Sequence, residues 1–240
     1  MGLKDFVRKL ILRERSNSEN FVNYCRSIGM HIGERTVIFE PTKTYVDVTR
    51  PWMISIGNDV QITRGVTILT HGYDWSVLKG LYGDVLGSCG EVVIGNNVFI
   101  GMNSTILKGV HIGDNCIIGA NSLVNKDVEA GWVVAGNPAK PIIRVEDYYK
   151  KRLEAQLSEA EELYRCYVLR MKKIPPKEAF SEFFWLFEKK NEKLDWFEEK
   201  QMRNVGNFEK SMEVFMNRQP VFDRYDAFVE CMMKKYPISE

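Results

Sequence analysis

The sequence predicts a mainly β protein: a parallel β-solenoid with a helical cap before it and an α-helical extension after it. Between residues 94 and 124, isoleucine or valine recurs every six positions, and a small or β-branched residue follows each one by four. Helices favour apolar residues every three or four positions and single strands every second position, so a period of six fits neither. It is typical of short strands joined by sharp turns, whose apolar faces are buried only by stacking.

The repeat continues towards the N-terminus, with one irregular stretch and one insertion. Its regular apolar positions are Ile94, Ile100, Ile106, Ile112, Ile118 and Val124, and earlier Ile32, Ile38, Ile56, Ile62 and Ile68. Residues 39 to 55 are expected to keep the six-residue step, with Thr44 and Arg50 in apolar positions. Ile68 and Ile94 are 26 positions apart, which is not a multiple of six. An inserted loop over residues 69–91 is therefore predicted, and such excursions are commonly functional.

Helices are predicted on both sides of the solenoid. Before it, one helix is expected at residues 3 to 13, and a second opens with a capping box formed by Ser16 and Glu19. After it, apolar residues at helical spacing predict the helices 149–171, 177–190, 192–204, 207–217 and 223–236. Aromatic residues from Phe180 to Phe197 favour a small helical core. A surface for a lipid-linked glycan, a membrane-associated partner or a neighbouring subunit is the alternative.

Composition divides the chain near residue 145. Gly206 is the single glycine after that point, and charged residues become more frequent there. The expected domains are a helical cap at 1–30, a solenoid at 31–145 and a helical domain at 146–240.

The overall charge and the cysteines indicate the class of protein. A formal net charge of +1 argues against a general nucleic-acid surface. Five scattered cysteines are typical of a reducing compartment. The sequence shows no signal peptide and no apolar run long enough for a membrane span. A cytoplasmic protein is expected, for which membrane contact through the C-terminal helices stays an alternative.

From residue 30 to 145 the sequence resembles the hexapeptide-repeat acyltransferases, with maltose, galactoside and polysaccharide O-acetyltransferases as the nearest branch. The resemblance is carried by the repeat, by the insertion that begins with Thr70-His71-Gly72, and by the closing Gly136-Asn137-Pro138-Ala139-Lys140. It implies a left-handed β-helix, a homotrimer, and acetyl-CoA (coenzyme A) as co-substrate without a required metal. The implied acceptor is a small molecule or a glycan.

Acetyl transfer to a hydroxyl needs a general base, and histidine suits that role near neutral pH. Of three histidines, His31 is expected to be a surface or packing residue and His111 to face outward on a turn, while His71 lies where the family carries its catalytic histidine. The carboxylate partner of His71 stays open among Asp74, Glu91, Asp84 and Asp47.

Flat and polar side chains of the insertion are candidates for binding the acceptor. They are Tyr73, Asp74, Trp75 and Tyr82. Aromatic faces and hydroxyls suit sugar rings, although the rings are equally suited to anchoring the loop.

The resemblance also implies the residues that bind the donor. The backbone N–H of Met102 matches the oxyanion-stabilising amide, and Ala120, eighteen positions later, matches the amide that holds the thioester end. Other residues at the family's cofactor-binding positions are Phe99, Gly101, Lys126, Lys140 and Arg144, of which the cations are expected to contact the phosphates of coenzyme A.

Three other functions remain open beside O-acetylation of a saccharide. The first is N-acylation of an amino sugar, and the second is a metal-dependent hydratase with a three-histidine zinc site. The third is a non-catalytic scaffold whose helical domain binds partners. His71 and the cations near the donor site favour the enzyme.

Overall fold

The computed structural model describes residues 11–188 and 194–238. The chain divides into two compact units between Tyr148 and Tyr149. The helix predicted at residues 3 to 13 lies almost entirely outside the described residues.

Short parallel strands form three faces of a solenoid in the first unit. The first face contains β1 (His31–Ile32), β4 (Ile54–Ile56), β7 (Val92–Ile94) and β10 (His111–Ile112). The second contains β2 (Val37–Ile38), β5 (Gln61–Ile62), β8 (Phe99–Ile100), β11 (Ile117–Ile118), β13 (Trp132–Ala135) and β14 (Lys140–Arg144). The third contains β3 (Tyr45–Val46), β6 (Thr67–Ile68), β9 (Thr105–Ile106) and β12 (Leu123–Val124). Only β13 and β14 pair antiparallel among these strands.

The repeated apolar residues stack inside the solenoid. Ile100 pairs with Ile118, and Ile106 pairs with Val124, so each residue meets its counterpart in the next coil. All four are at most 1% exposed. Full burial of such a side chain contributes about 1.5–3 kcal/mol to stability. The predicted parallel solenoid is confirmed, but helical residues outnumber strand residues in the described chain, so the mainly β description is not confirmed.

The step expected across residues 39 to 55 was wrong. Val46, not Thr44, occupies the apolar position, because Val46 pairs with Ile68 of the next coil. Thr44 is also buried, and its hydroxyl is satisfied because it donates to the carbonyl of Phe39 at 3.1 Å. Arg50 precedes a 3-10 turn, Pro51–Met53. The first coil therefore carries extra residues on both sides of β3.

Two insertions lie at the same corner of the solenoid, between the third face and the first. In the first coil this corner runs from Val46 to Ile54, and in the second it runs from Ile68 to Val92. The corresponding corner of the third coil needs only Leu107 to Val110. The longer insertion contains the helix α2 (Trp75–Tyr82), which has no buried residue.

The helix α1 (Ser18–Ser27) lies before the solenoid. Its cap is Asn17, whose side-chain oxygen accepts the N–H of Asn20 at 2.8 Å, so the predicted Ser16 cap was wrong by one position. Phe21 and Cys25 are fully buried in the same core as the repeat residues.

The second unit is helical. Its helices are α3 (Val145–Met171, which begins before the division), α4 (Trp196–Met202), α5 (Phe208–Asn217) and α6 (Tyr225–Lys235). The helix predicted at 177–190 was wrong in its described part, which forms the 3-10 turns Lys177–Phe180 and Phe184–Leu186 instead. Buried Phe180, Phe184 and Phe187 confirm the predicted aromatic core, but Trp196 is 70% exposed and does not belong to it. Among the described helices, none combines the length and apolar character that crossing a bilayer requires.

We expect Gly57→Ala to lower the free energy of unfolding by about 1–3 kcal/mol, because a methyl group there would lie 2.6 Å from the carbonyl oxygen of Gly95 in the next coil. Gly80→Ala is the matched control, since a methyl group at Gly80 meets nothing within 4 Å and Ala favours a helix. Urea unfolding followed by circular dichroism measures both. Equal losses would contradict the close coil stacking.

Candidate active site

The imidazole of His71 is bonded to the carboxylate of Asp47. The Nδ1 atom of His71 and the Oδ2 atom of Asp47 are 2.6 Å apart. Asp47 follows β3 directly, and His71 comes three residues after Ile68 at the end of β6. Since β3 and β6 are neighbours on the third face, residues 24 positions apart in sequence meet. Of the four carboxylates that the sequence left open, the structure selects Asp47.

Asp47 is fully buried and accepts hydrogen bonds at both oxygens. Its Oδ1 accepts the hydroxyl of Thr49 at 2.6 Å and the N–H of Thr49 at 3.1 Å. Its Oδ2 accepts the hydroxyl and the N–H of Thr70, besides the bond to His71. The bonds of Thr49 and Thr70 to Asp47 were not predicted from the sequence, although both are hydroxyl residues close to Asp47 or His71 in sequence.

These bonds keep Asp47 ionised. Burial by itself raises the pKa of this carboxyl group, but the bonds from Thr49, Thr70 and His71 outweigh burial and hold the pKa well below its usual range. A carboxylate accepts hydrogen bonds only, so Nδ1 of His71 must carry a proton. The neutral ring then has its lone pair on Nε2, which is the state that a general base requires. The side chain of His71 is 27% exposed.

The predicted acceptor-binding residues lie in the insertion, which is closed at its base. His71 forms an antiparallel bridge with Cys89, and the N–H of Gly90 donates to the carbonyl of Thr70 at 2.9 Å. Beyond this closure, Tyr73 and Trp75 have ring centroids 4.9 Å apart. Tyr73 and Tyr82 are strongly exposed, Asp74 is exposed, and Trp75 is half-buried. The structure therefore brings two of these rings together and places Tyr82 at the other end of α2.

Met102 and Ala120 occupy equivalent positions in neighbouring coils. They follow β8 and β11, whose residues Ile100 and Ile118 are paired. A Cβ at Gly101 would lie 2.5 Å from the backbone nitrogen of Ala120, so the close approach of these coils requires glycine. Phe99 faces outward on β8 and is 42% exposed.

The backbone N–H groups of Met102 and Ala120 have no hydrogen-bond acceptor among the described residues. After the strands β4 and β7 of the first face, by contrast, a side chain from the next coil accepts the equivalent amide. Asn96 accepts the N–H of Asn58 at 2.9 Å, and Asp114 accepts that of Asn96 at 2.6 Å. The methyl group of Ala120 has no acceptor to offer Met102, so this corner presents open backbone donors.

The three predicted phosphate contacts have different surroundings. Lys126 and Lys140 are exposed and form no ion pair within the described part of the chain. Arg144 donates to the carbonyl of Ala130 at 3.2 Å, and its guanidinium lies 4.9 Å from the ring centroid of Trp132. The side chain of Arg144 is thus positioned by contacts with Ala130 and Trp132, whereas the side chains of the two lysines have no ion-pair partner among the described residues.

The other histidines lie away from this site. His31 and His111 are exposed on β1 and β10, on the first face of the solenoid. Over residues 11–188 and 194–238, no three His, Cys, Asp or Glu side chains are grouped as metal ligands would be.

Comparison with known proteins gives both a family and individual relatives. Residues 91–126 match the family described as bacterial transferase hexapeptide (six repeats). The chain is 40% identical over 150 residues to Protein CapG of Staphylococcus aureus. The matched region covers 62% of this chain and 84% of CapG.

Two further similarities are weaker. The chain is 37% identical over 116 residues to YvoF of Bacillus subtilis (strain 168), and the match covers 48% of this chain and 59% of YvoF. The name of YvoF assigns that protein provisionally to the acetyltransferases. A solved galactoside acetyltransferase in complex with coenzyme A is 28% identical, with 61% of this chain and 83% of that chain covered and a TM-score of 0.45.

We expect Asp47→Asn to lower the free energy of unfolding at pH 7 by about 1–3 kcal/mol, because Thr49, Thr70 and His71 lose a charged acceptor. The depressed pKa of Asp47 stabilises the folded protein above the ordinary aspartate pKa of about 3.9. This contribution disappears as the pH falls below that value towards the folded-state pKa. The difference between wild type and variant should therefore shrink below about pH 4. Urea unfolding between pH 7 and pH 3 measures it.

The control for this experiment is Asp74→Asn, which changes an exposed carboxylate of the same insertion. It should cost little at any pH. A difference between wild type and Asp47→Asn that stays constant down to pH 3 would contradict an ionised, buried Asp47.

Proposed function

Since the chain belongs to the hexapeptide-repeat transferase family, we propose that it is an acetyl-CoA-dependent O-acetyltransferase that acetylates a hydroxyl of a saccharide or surface-polysaccharide precursor. The match of the repeats and the 40% identity to CapG confirm the predicted family and transferase class. The observation that carries the proposed mechanism is the bond between His71 and the buried Asp47.

His71 acts as the general base. Its Nε2 takes the proton of the acceptor hydroxyl while the hydroxyl oxygen attacks the carbonyl carbon of the acetyl thioester. Asp47 holds the ring in the required tautomer and stabilises the imidazolium that forms. The C–S bond then breaks, and the proton on His71 goes to the departing thiolate of coenzyme A. A positioned base of this kind contributes about a hundredfold to ten-thousandfold in rate.

The open backbone donors bind the thioester. The N–H of Met102 stabilises the oxyanion that develops as the hydroxyl attacks, and the N–H of Ala120 holds the thioester end of the donor. Their lack of acceptors within the described residues supports these roles. Fixed donors of this kind need no reorganisation as charge develops, which is why they contribute strongly to catalysis. Gly101 permits the close approach of the two coils, and the exposed ring of Phe99 packs against the donor.

The site is completed by a neighbouring copy in a homotrimer. In one chain, His71 follows the third face, whereas Met102 and Ala120 follow the second face, so the base and the amides emerge at different corners. A second copy brings one chain's base to the other chain's amides. We also propose that the solenoid winds left-handed, which fits the family.

Exposed cations and aromatic rings bind the two substrates. Lys126 and Lys140 contact the phosphates of coenzyme A, and Arg144, steadied on Trp132, adds a fork of donors. The acceptor contacts Tyr73, Asp74, Trp75 and Tyr82, whose rings and polar groups suit a sugar. The reaction assigns no role to a metal. Free cysteines throughout the described chain support a cytoplasmic location.

We expect His71→Ala to lower kcat at least a hundredfold, the low end for a general base, while coenzyme A binds as before. Thiol release from acetyl-CoA in the presence of saccharide acceptors measures the rate, and calorimetry measures binding. His111→Ala, an exposed histidine on the first face, is the matched control and should retain full activity.

Full activity of His71→Ala would reject His71 as the base. Faster acetylation of amino sugars at nitrogen than of hydroxyls by the wild type would favour the N-acyltransferase instead. Failure of the wild type to bind any acyl-CoA would favour the scaffold.

We expect Lys126→Ala and Lys140→Ala each to raise the KM for acetyl-CoA about threefold to tenfold with kcat nearly unchanged, because an exposed charge binds phosphate modestly and away from the reacting atoms. Lys43→Ala, at an exposed lysine near Glu40, is the control. Added salt should narrow the difference from wild type. An unchanged KM in both variants would remove these lysines from the donor site.

A further inference from the structure

We propose that Trp52 forms a stacking platform for the saccharide acceptor beside His71. This inference rests on the proposed function and names a residue that determines acceptor specificity. Trp52 lies in the insertion of the first coil, between Val46 and Ile54, and His71 opens the insertion of the second coil at the same corner. Because β3 pairs with β6 and β4 pairs with β7, the two insertions begin and end on neighbouring strands.

Asp47 ties the two insertions together. One oxygen of its carboxylate accepts from Thr49, in the same insertion as Trp52, and the other accepts from Thr70 and His71. Thr49 and Trp52 are three residues apart, so their Cα atoms are separated by at most about 11 Å. Trp52 therefore lies close along the chain to a residue that bonds the carboxylate partner of His71.

The backbone of Trp52 is fixed, whereas its ring is exposed. Trp52 lies in the 3-10 turn Pro51–Met53, in which the N–H of Met53 donates to the carbonyl of Arg50 at 3.0 Å. Pro51 and Ile54 on either side are buried, but Trp52 itself is 70% exposed. Burial of such a ring by a ligand is favourable, and the fixed backbone lowers the entropic cost of holding the indole in place.

The ligand that fits is a sugar ring, which offers an apolar face of C–H groups to the indole and hydroxyls to His71. The indole N–H adds one hydrogen-bond donor for a ring oxygen or a hydroxyl. Tyr73 and Trp75 belong to the facing insertion, and their paired rings provide further aromatic surface. The acceptor is thus bound between two insertions, of which the shorter supplies Trp52.

The test measures acetylation of maltose, methyl β-galactoside and N-acetylglucosamine at varied sugar and varied acetyl-CoA concentrations. Trp52→Ala should raise the KM for the acetylated sugar at least tenfold and leave the KM for acetyl-CoA within twofold. Trp52→Phe, which keeps a flat ring, should restore most of the affinity. Trp196→Ala is the matched control, because Trp196 is equally exposed at 70% and lies in the helical unit.

The outcomes separate this inference from the function on which it rests. If the wild type acetylates none of the three sugars, the saccharide acceptor itself is rejected, and the platform with it. If the wild type is active and Trp52→Ala keeps its sugar KM, only the platform is rejected. A change in oligomeric size of Trp52→Ala by light scattering, with both KM values altered, would identify Trp52 as a subunit contact and also overturn the inference.

Discussion

Register between successive coils is the constraint on which the rest of the structure depends. Ile32, Ile56, Ile94 and Ile112 stack along the first face because each strand pairs in parallel with the strand one coil away. A short strand of two or three residues has no stable partner of its own, so only the stack makes its backbone bonds and buries its apolar side. The corners are then free to vary in length without moving the faces, and this protein places its longest variations at one corner.

The arrangement of the candidate site follows from the freedom of the corners to vary in length. Between the third face and the first, two neighbouring coils carry insertions, and the buried Asp47 bonds to both of them. At the corner after the second face, the coils are regular, and the amide of Met102 stays open because the next coil carries Ala120 where the coils after β4 and β7 carry Asn96 and Asp114. One repeat thus produces an aromatic insertion beside His71 and a regular corner lined by open backbone donors.

The features that follow from the six-residue period were predicted from the sequence, and those in stretches that break the period were missed. Ile94 to Val124 predicted the parallel coils, since a six-residue interval has no other simple structural explanation. The partner of His71 stayed open because extra residues on both sides of Val46 conceal the pairing of β3 with β6. The 3-10 turns near Phe180 and Phe184 were missed because their aromatic spacing also fits a helix. Trp52 has a local sequence typical of an ordinary turn, and only its exposure beside a bonded insertion distinguishes it.

The anchorage of His71 in the scaffold has an evolutionary consequence. Asp47 fixes Thr70, and the bridge between His71 and Cys89 closes the base of the insertion. The segment between Tyr73 and Ser88 is therefore attached to the solenoid through a fixed base. Under the proposed function, exchange of that segment between homologues would change acceptor specificity while His71 keeps its bond to Asp47. Acceptor specificity could then change through this one segment without disturbing the coils.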